Sequence, residues 1–220
     1  MIDTRERILR SALKLFNKYG TSNVTLRTIA KDLGISQGNL NYHFKKREDI
    51  INELYQRLVN DIDEIMLSNQ QKEVSLKLLF DVSEVVTTNF YRYRFILLNF
   101  TEVMLEHRPI RNHFRDMVKL REEQMTALFS AFVEKGLMHN EQYPNQFQNL
   151  CRRFQILGDF WMSSAKVIHP KGLTKKSIQE YSGLLLEAIY PYLTSVGQEE
   201  FKQHYNKSTL ENPKKTTVSF

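Results

Sequence analysis

A chain of 220 residues with 41% apolar side chains, among them 14 Phe and 10 Tyr, has the material for a sizeable core in one larger domain or two unequal ones, which sets aside intrinsic disorder. Its single cysteine, Cys151, excludes an intramolecular disulfide or a cysteine-based zinc site and suits a reducing cytoplasm, while Asp3 and Glu6 in an N-terminus without an apolar core, and a longest notable apolar run of only Phe95–Leu98, argue against a leader or a membrane span. The net charge of +6 is uneven: residues 1–50 hold ten Lys/Arg and five Asp/Glu, whereas the other 170 hold 21 and 20.

Residues 3–19 read as an amphipathic helix. Ile8, Ala12, Leu15, Phe16 and Tyr19 recur at helical spacing, Asp3 or Thr4 caps the start, and Gly20 ends it. After a polar loop over 21–24 comes TLRTIAKDLGISQGNLNYHFKKREDI, residues 25–50, which reads as a helix, a tight turn, a short second helix and the start of a third. Thr25 is a good N-cap, and Ile29 and Leu33 lie four apart on one face. Gly34 supplies the left-handed conformation of a sharp turn, and Ile35 plugs it. Ser36 caps the next helix, whose buried side is Leu40 and Phe44. Gln37, Asn39, Asn41 and Tyr42 then face outward, with Lys45, Lys46 and Arg47 just behind. Amides that pair with adenine edges, backed by cations that hold phosphates, suit a DNA major groove.

Behind this head, Ile50, Ile51, Leu54, Leu58, Ile62, Ile65 and Met66 give a long apolar stripe, and neither Gly nor Pro interrupts residues 45–108, so a rigid helix is expected to join head and body. A break is expected over Asn69–Glu73. A helix over 74–90 follows, then a bend near Asn89–Arg92 and a helix from Tyr93 to about Glu106 that ends before Pro109. Further helices are expected over 110–135, 145–168 and 174–193, the last kinked by Pro191. Phe201, His204 and Tyr205 suggest a short helix, and 207–220 is polar without period. No strand pattern is visible, so the fold class is all-α: a three-helix head over 1–47, a larger helical body over 48–206 and a polar tail over 207–220.

With a reader in front of a helical body, the chain resembles the TetR family of transcriptional regulators. The resemblance covers about residues 5–52 and rests on RILRSALKLFNKYG, TLRTIAKDLGIS and QGNLNYHFKKREDII, where Gly38, Leu40, His43, Phe44, Glu48 and Ile50 fit the family's run. Two positions depart from it: Asn41 stands where the family usually has tyrosine, with Tyr42 next door, and Arg47 where lysine is usual. The resemblance implies a repressor that binds a palindromic operator in double-stranded DNA as a homodimer and answers to a small-molecule effector. Base edges fall to Gln37, Asn39, Asn41 and Tyr42, at about 1–3 kcal/mol of discrimination each. Thr25 and Arg27 fall at the groove edge, and Lys45, Lys46 and Arg47 on phosphates. Ser36, Gly38 and His43 complete the DNA-facing set, His43 as a packing residue near the backbone rather than a metal ligand.

In the body the same resemblance implies an effector pocket, for which Tyr91, Asn99, Glu102, His107, Phe100, Phe114, Phe154 and Trp161 are the candidates. A dimer interface on the last two long helices has Phe154, Leu157, Trp161, Leu184, Leu185 and Ala188 as candidates. For any one aromatic, plain core is the competing reading. No cofactor or metal is expected, since His107 and His113 lie six apart and off a common helical face. No HExxH, GxxxxGK, GxGxxG or GxSxG supports an enzyme. The main rival keeps the DNA head but drops the ligand, as an architectural or protein-regulated binder. A membrane-surface role is disfavoured by the amides at 37–41.

Overall fold

The computed structural model describes residues 3–169 and 172–209, with side chains described as far as Tyr205. Eleven helices make up these residues: α1 Thr4–Tyr19, α2 Leu26–Leu33, α3 Gln37–His43, α4 Arg47–Asn69, α5 Leu76–Arg92, α6 Arg94–Leu98, α7 Phe100–Glu106, α8 Arg108–Glu134, α9 Gln146–Ile168, α10 Lys175–Glu187 and α11 Ser195–Thr209. The all-α expectation holds. Among the described residues the only extended pairing is an isolated bridge between Met138 and Leu193. Pro170 and Lys171, in the expected stop after α9, and the tail from 210 onward lie outside the described residues, while 207–209 belong to α11.

Head and body share one core. Ile8, Phe16, Ile29, Leu40 and Phe44 from the head pack in the same buried cluster as Ile50, Ile51, Leu54 and Leu58 of α4, and as Phe95, Ile96, Val103 and Ile110 further along. Each such side chain contributes roughly 1.5–3 kcal/mol of apolar burial, more than a three-helix head raises alone. Phe16 meets Phe95 with ring centroids 5.2 Å apart, which fixes α1 on α6. Ion pairs fasten α1 to α4: Arg57 holds Glu6 at 2.7 Å, and Arg5 pairs with Glu53. A second core, with Leu76, Phe80, Phe129, Phe132, Leu150 and Phe201, joins α5, α8, α9 and α11, and a small third one surrounds Trp161 and Met162.

Two helices differ from their sequence reading. The helix expected over 93–106 is broken at Asn99 (φ −119°, ψ 32°), whose side-chain amide donates to the Phe95 carbonyl at 2.7 Å and so competes with continuation of the helix. At the preceding junction Asn17 of α1 donates to the Arg92 carbonyl at 2.8 Å and accepts from the Phe95 N–H at 3.0 Å. That one side chain satisfies backbone groups the α5–α6 break sets loose. The helix expected to reach residue 193 stops at Glu187 and gives way to a 3₁₀ turn over Tyr190–Tyr192 around Pro191, which lacks the N–H a continuing helix needs. At the other Pro, α8 carries Pro109 in its first turn, where a missing N–H costs nothing.

Candidate nucleic-acid interface

Local hydrogen bonds shape the α2–α3 unit. Thr25 Oγ1 accepts from the Thr28 N–H at 3.2 Å, and the Thr28 hydroxyl accepts from the Thr25 N–H at 2.9 Å, a reciprocal cap on α2. Gly34 sits at φ 66°, ψ 30° and closes α2 in the left-handed region. Ser36 Oγ accepts from the Asn39 N–H at 3.1 Å and starts α3. Leu40 and Phe44 are buried and anchor α3 from below, and the Arg5 guanidinium lies 4.9 Å from the centre of the Phe44 ring. The opposite side of α3 presents Gln37, Gly38, Asn39 and Tyr42 to solvent, Tyr42 being 81% exposed.

Not every candidate is equally available. Asn41 is half-buried, and its Oδ1 has no hydrogen-bond partner among the described residues. His43 is half-buried and edge-on to Tyr42 at 5.3 Å. Thr25, Arg27, Lys45 and Lys46 are exposed. Arg47 is engaged within its own chain: Nη1 donates to the Thr21 carbonyl at 3.0 Å, and Nη2 lies 3.5 Å from Glu48 and 3.8 Å from Glu106. The phosphate role expected of Arg47 therefore competes with a bond that ties the start of α4 to the α1–α2 loop. Asp49 accepts from the Lys46 N–H at 2.9 Å and caps α4 beside it. Of the other head cations, Arg5, Arg10 and Lys14 pair with Glu53, Glu6 and Asp32.

The family model for bacterial regulatory proteins of the tetR family matches residues 8–54, and the TetR model for bacterial transcriptional repressors matches residues 55–201. The chain belongs to the TetR family.

Its head is similar to that of the HTH-type transcriptional regulator AcrR of Shigella flexneri, with 37% identity over 70 residues. That match spans 32% of this chain and only 33% of the relative. Over nearly the whole chain it is similar in structure to a TetR-family transcriptional regulator from Marinobacter aquaeolei VT8, at TM-score 0.84 and 25% identity, covering 94% of this chain and 99% of that one. The SmeT–triclosan complex shares the fold at TM-score 0.58 and 16% identity, covering 87% of this chain and 92% of that one.

In this TetR chain the body candidates fall in different places. Asn99, Phe100 and Glu102 line a hollow of about 210 Å³ between α6–α7 and α9. Phe114 lines a separate groove of about 570 Å³ between α8 and α9, with Arg115, Lys119 and Gln155. Phe100 bridges the two places, 5.2 Å from Phe114 and 5.4 Å from Phe160. Tyr91 donates its hydroxyl to the Leu173 carbonyl at 3.0 Å, and Phe154 packs in the second core. Trp161 is buried against Tyr181, and its Nε1 has no hydrogen-bond partner among the described residues. His107 is buried at the α7–α8 junction, where burial holds its imidazole below the usual histidine range against the opposing pull of Glu48 and Glu106.

Of the dimer candidates, Leu157 and Leu184 are exposed, Phe154, Leu185 and Ala188 are half-buried, and Trp161 belongs to the core of its own chain. Sequence reading missed a second apolar stripe on α9: Ile156, Phe160, Val167 and Ile168, with Val167 82% exposed. Its signal is present, since 156, 160 and 167 keep helical spacing, but it was overshadowed by the core-facing stripe of the same helix. Asp159 was also missed. It lies half-buried beside Gln155, and burial pushes its carboxyl up to about 6. Among the described residues no helix is long and apolar enough to cross a membrane.

Proposed function

We propose that this TetR-family chain is a DNA-binding transcriptional repressor that grips a palindromic operator as a homodimer and lets go when a small-molecule effector fills its body. The observation that carries the DNA reading is the exposed face of α3. Its Gln37, Gly38, Asn39 and Tyr42 stand clear of the chain on a helix fixed at its start by Ser36 and from below by Leu40 and Phe44. Lys45 and Lys46 follow directly and supply phosphate contacts. The homodimer is supported by the solvent-facing apolar residues of α9 together with Leu184 of α10, a patch a monomer leaves unburied. Two heads on such a dimer read half-sites whose centres lie about 34–36 Å apart. The effector reading is supported by the hollows beside α7 and α8, and by the triclosan held by a protein of the same fold.

The test is selection of bound sequences from random duplex DNA, paired with sedimentation of the free protein. The expected result is a dimer and an enriched palindrome. A monomer that enriches no sequence contradicts the proposal.

A further inference from the structure

Glu102 belongs to two structures at once. From the first turn of α7 its Oε1 accepts hydrogen bonds from Thr21 Oγ1 at 2.7 Å and Ser22 Oγ at 2.8 Å, both in the α1–α2 loop of the head. Thr21 is buried at 1% exposure, and its carbonyl receives Arg47 from α4. This loop is therefore where α7 and α4 both hold the head. Oε2 of Glu102 has no hydrogen-bond partner among the described residues. The same side chain lines the 210 Å³ hollow with Asn99, Phe100, Thr101, Phe160 and Ser163, and among the described residues Glu102 is the only charged one in that lining.

We infer that Glu102 is the recognition carboxylate for a guanidinium or amidinium group seated in this hollow, and that the bound cation competes with Thr21 and Ser22 for it. The inference rests on the effector-responsive reading above and names its ligand class. The hollow is smaller than the roughly 300–1,000 Å³ of drug-sized pockets, so it takes a small cation or the cationic end of a larger molecule. Two aromatic side chains, Phe100 and Phe160, meet edge to face in the lining with ring centroids 5.4 Å apart, and aromatic walls favour a planar, weakly hydrated guanidinium over a strongly hydrated ammonium. The dipole of the short α7 opposes a cation near its first turn, but its half-charge is smaller than the full charge of the carboxylate. A guanidinium donates two parallel N–H bonds and needs both carboxylate oxygens. Oε1 already accepts two hydroxyl donors, so the fork displaces at least one of them and loosens the head from α7. Binding and release are thus two sides of one exchange at a single carboxylate, and the coupling is reciprocal.

The test is calorimetric titration of the full chain, without DNA, with methylguanidinium and its neutral analogue N-methylurea. Methylguanidinium binds and N-methylurea does not. Glu102→Gln weakens methylguanidinium at least tenfold, the scale of a charged, bidentate contact. Phe160→Ala weakens it less without touching the head, provided sedimentation shows the variant keeps the wild type's oligomeric state, since Phe160 also belongs to the apolar stripe of α9. Thr21→Val with Ser22→Ala, or Ser22→Ala alone if the pair impairs folding, tightens binding several-fold because the carboxylate is no longer shared. Equal affinity for the wild type and Glu102→Gln, or no binding of methylguanidinium, overturns the assignment. Unchanged affinity after the loop substitutions overturns the competition. Since no DNA is present, these outcomes are separate from failure of the selection experiment, which bears on the DNA reading.

Discussion

A Cβ built on Gly38 meets nothing nearer than Ser36 Oγ at 3.9 Å, so packing within the chain does not require glycine there. Gly38→Ala should leave the fold intact and raise its stability by about 0.5–1 kcal/mol in thermal unfolding, since alanine is the better helix residue. If α3 lies against DNA, the added methyl group lowers operator affinity at the same time, a combination that an exposed structural glycine does not give. Arg47 makes the opposite case. Its guanidinium is held by the Thr21 carbonyl and is only partly exposed. Arg47→Ala should cost about 1–2 kcal/mol in urea unfolding and change the salt dependence of DNA binding little. Lys45→Ala and Lys46→Ala should each lower the salt slope by about one and leave stability alone. The caps at Thr25, Gly34 and Ser36 were legible in the sequence because their partners lie within four residues. The bonds of Arg47, Asn17 and Glu102 were not, because their partners lie 26, 78 and 81 residues away and only packing brings them together.

At the scale of whole elements, periodicity located most helices, and their ends were less legible. Asn99 and Glu187 stop helices that apolar spacing alone continues, and the first of these stops shapes the hollow that Glu102 lines. Helix α9 carries two apolar stripes, and of its solvent-facing residues the sequence reading named only Leu157. Glutamates at Ile156 and Leu184, both exposed, should turn a dimer into a folded monomer in sedimentation velocity, with helical content unchanged. Asp159 on the same helix sets a pH dependence. Burial lifts its folded pKa to about 6 from the usual aspartate value of 3.8. Between those values the unfolded chain has lost the proton that the folded chain keeps, so this group's contribution to stability falls as pH rises through the window. Above it the cost of the buried charge is fully present. Asp159→Asn should therefore stabilise the protein by about 1–3 kcal/mol at pH 7.5 and by little near pH 4, measured by urea unfolding at fixed protein concentration.

Across the molecule, the head and the front of the body fold on one core, and α4 runs without a break from the reader to Asn69. Glu102 and Glu106 of α7 thus contact the α1–α2 loop and Arg47, with no flexible linker between head and body. The positive excess lies in the fifty residues that largely coincide with the tetR-family match at residues 8–54, but charge alone does not show which cations are available. Arg5, Arg10 and Lys14 pair with acids of their own chain, while Lys45 and Lys46 stand exposed after α3. The proposed function requires that α3 read bases. The most direct measurement is to repeat the duplex selection with Gln37→Ala and Asn39→Ala alongside the wild type. The prediction is that each variant loses preference at matching positions in both halves of the palindrome while its salt-dependent, sequence-independent binding persists. Identical preferences in wild type and variants would contradict α3 as the reader.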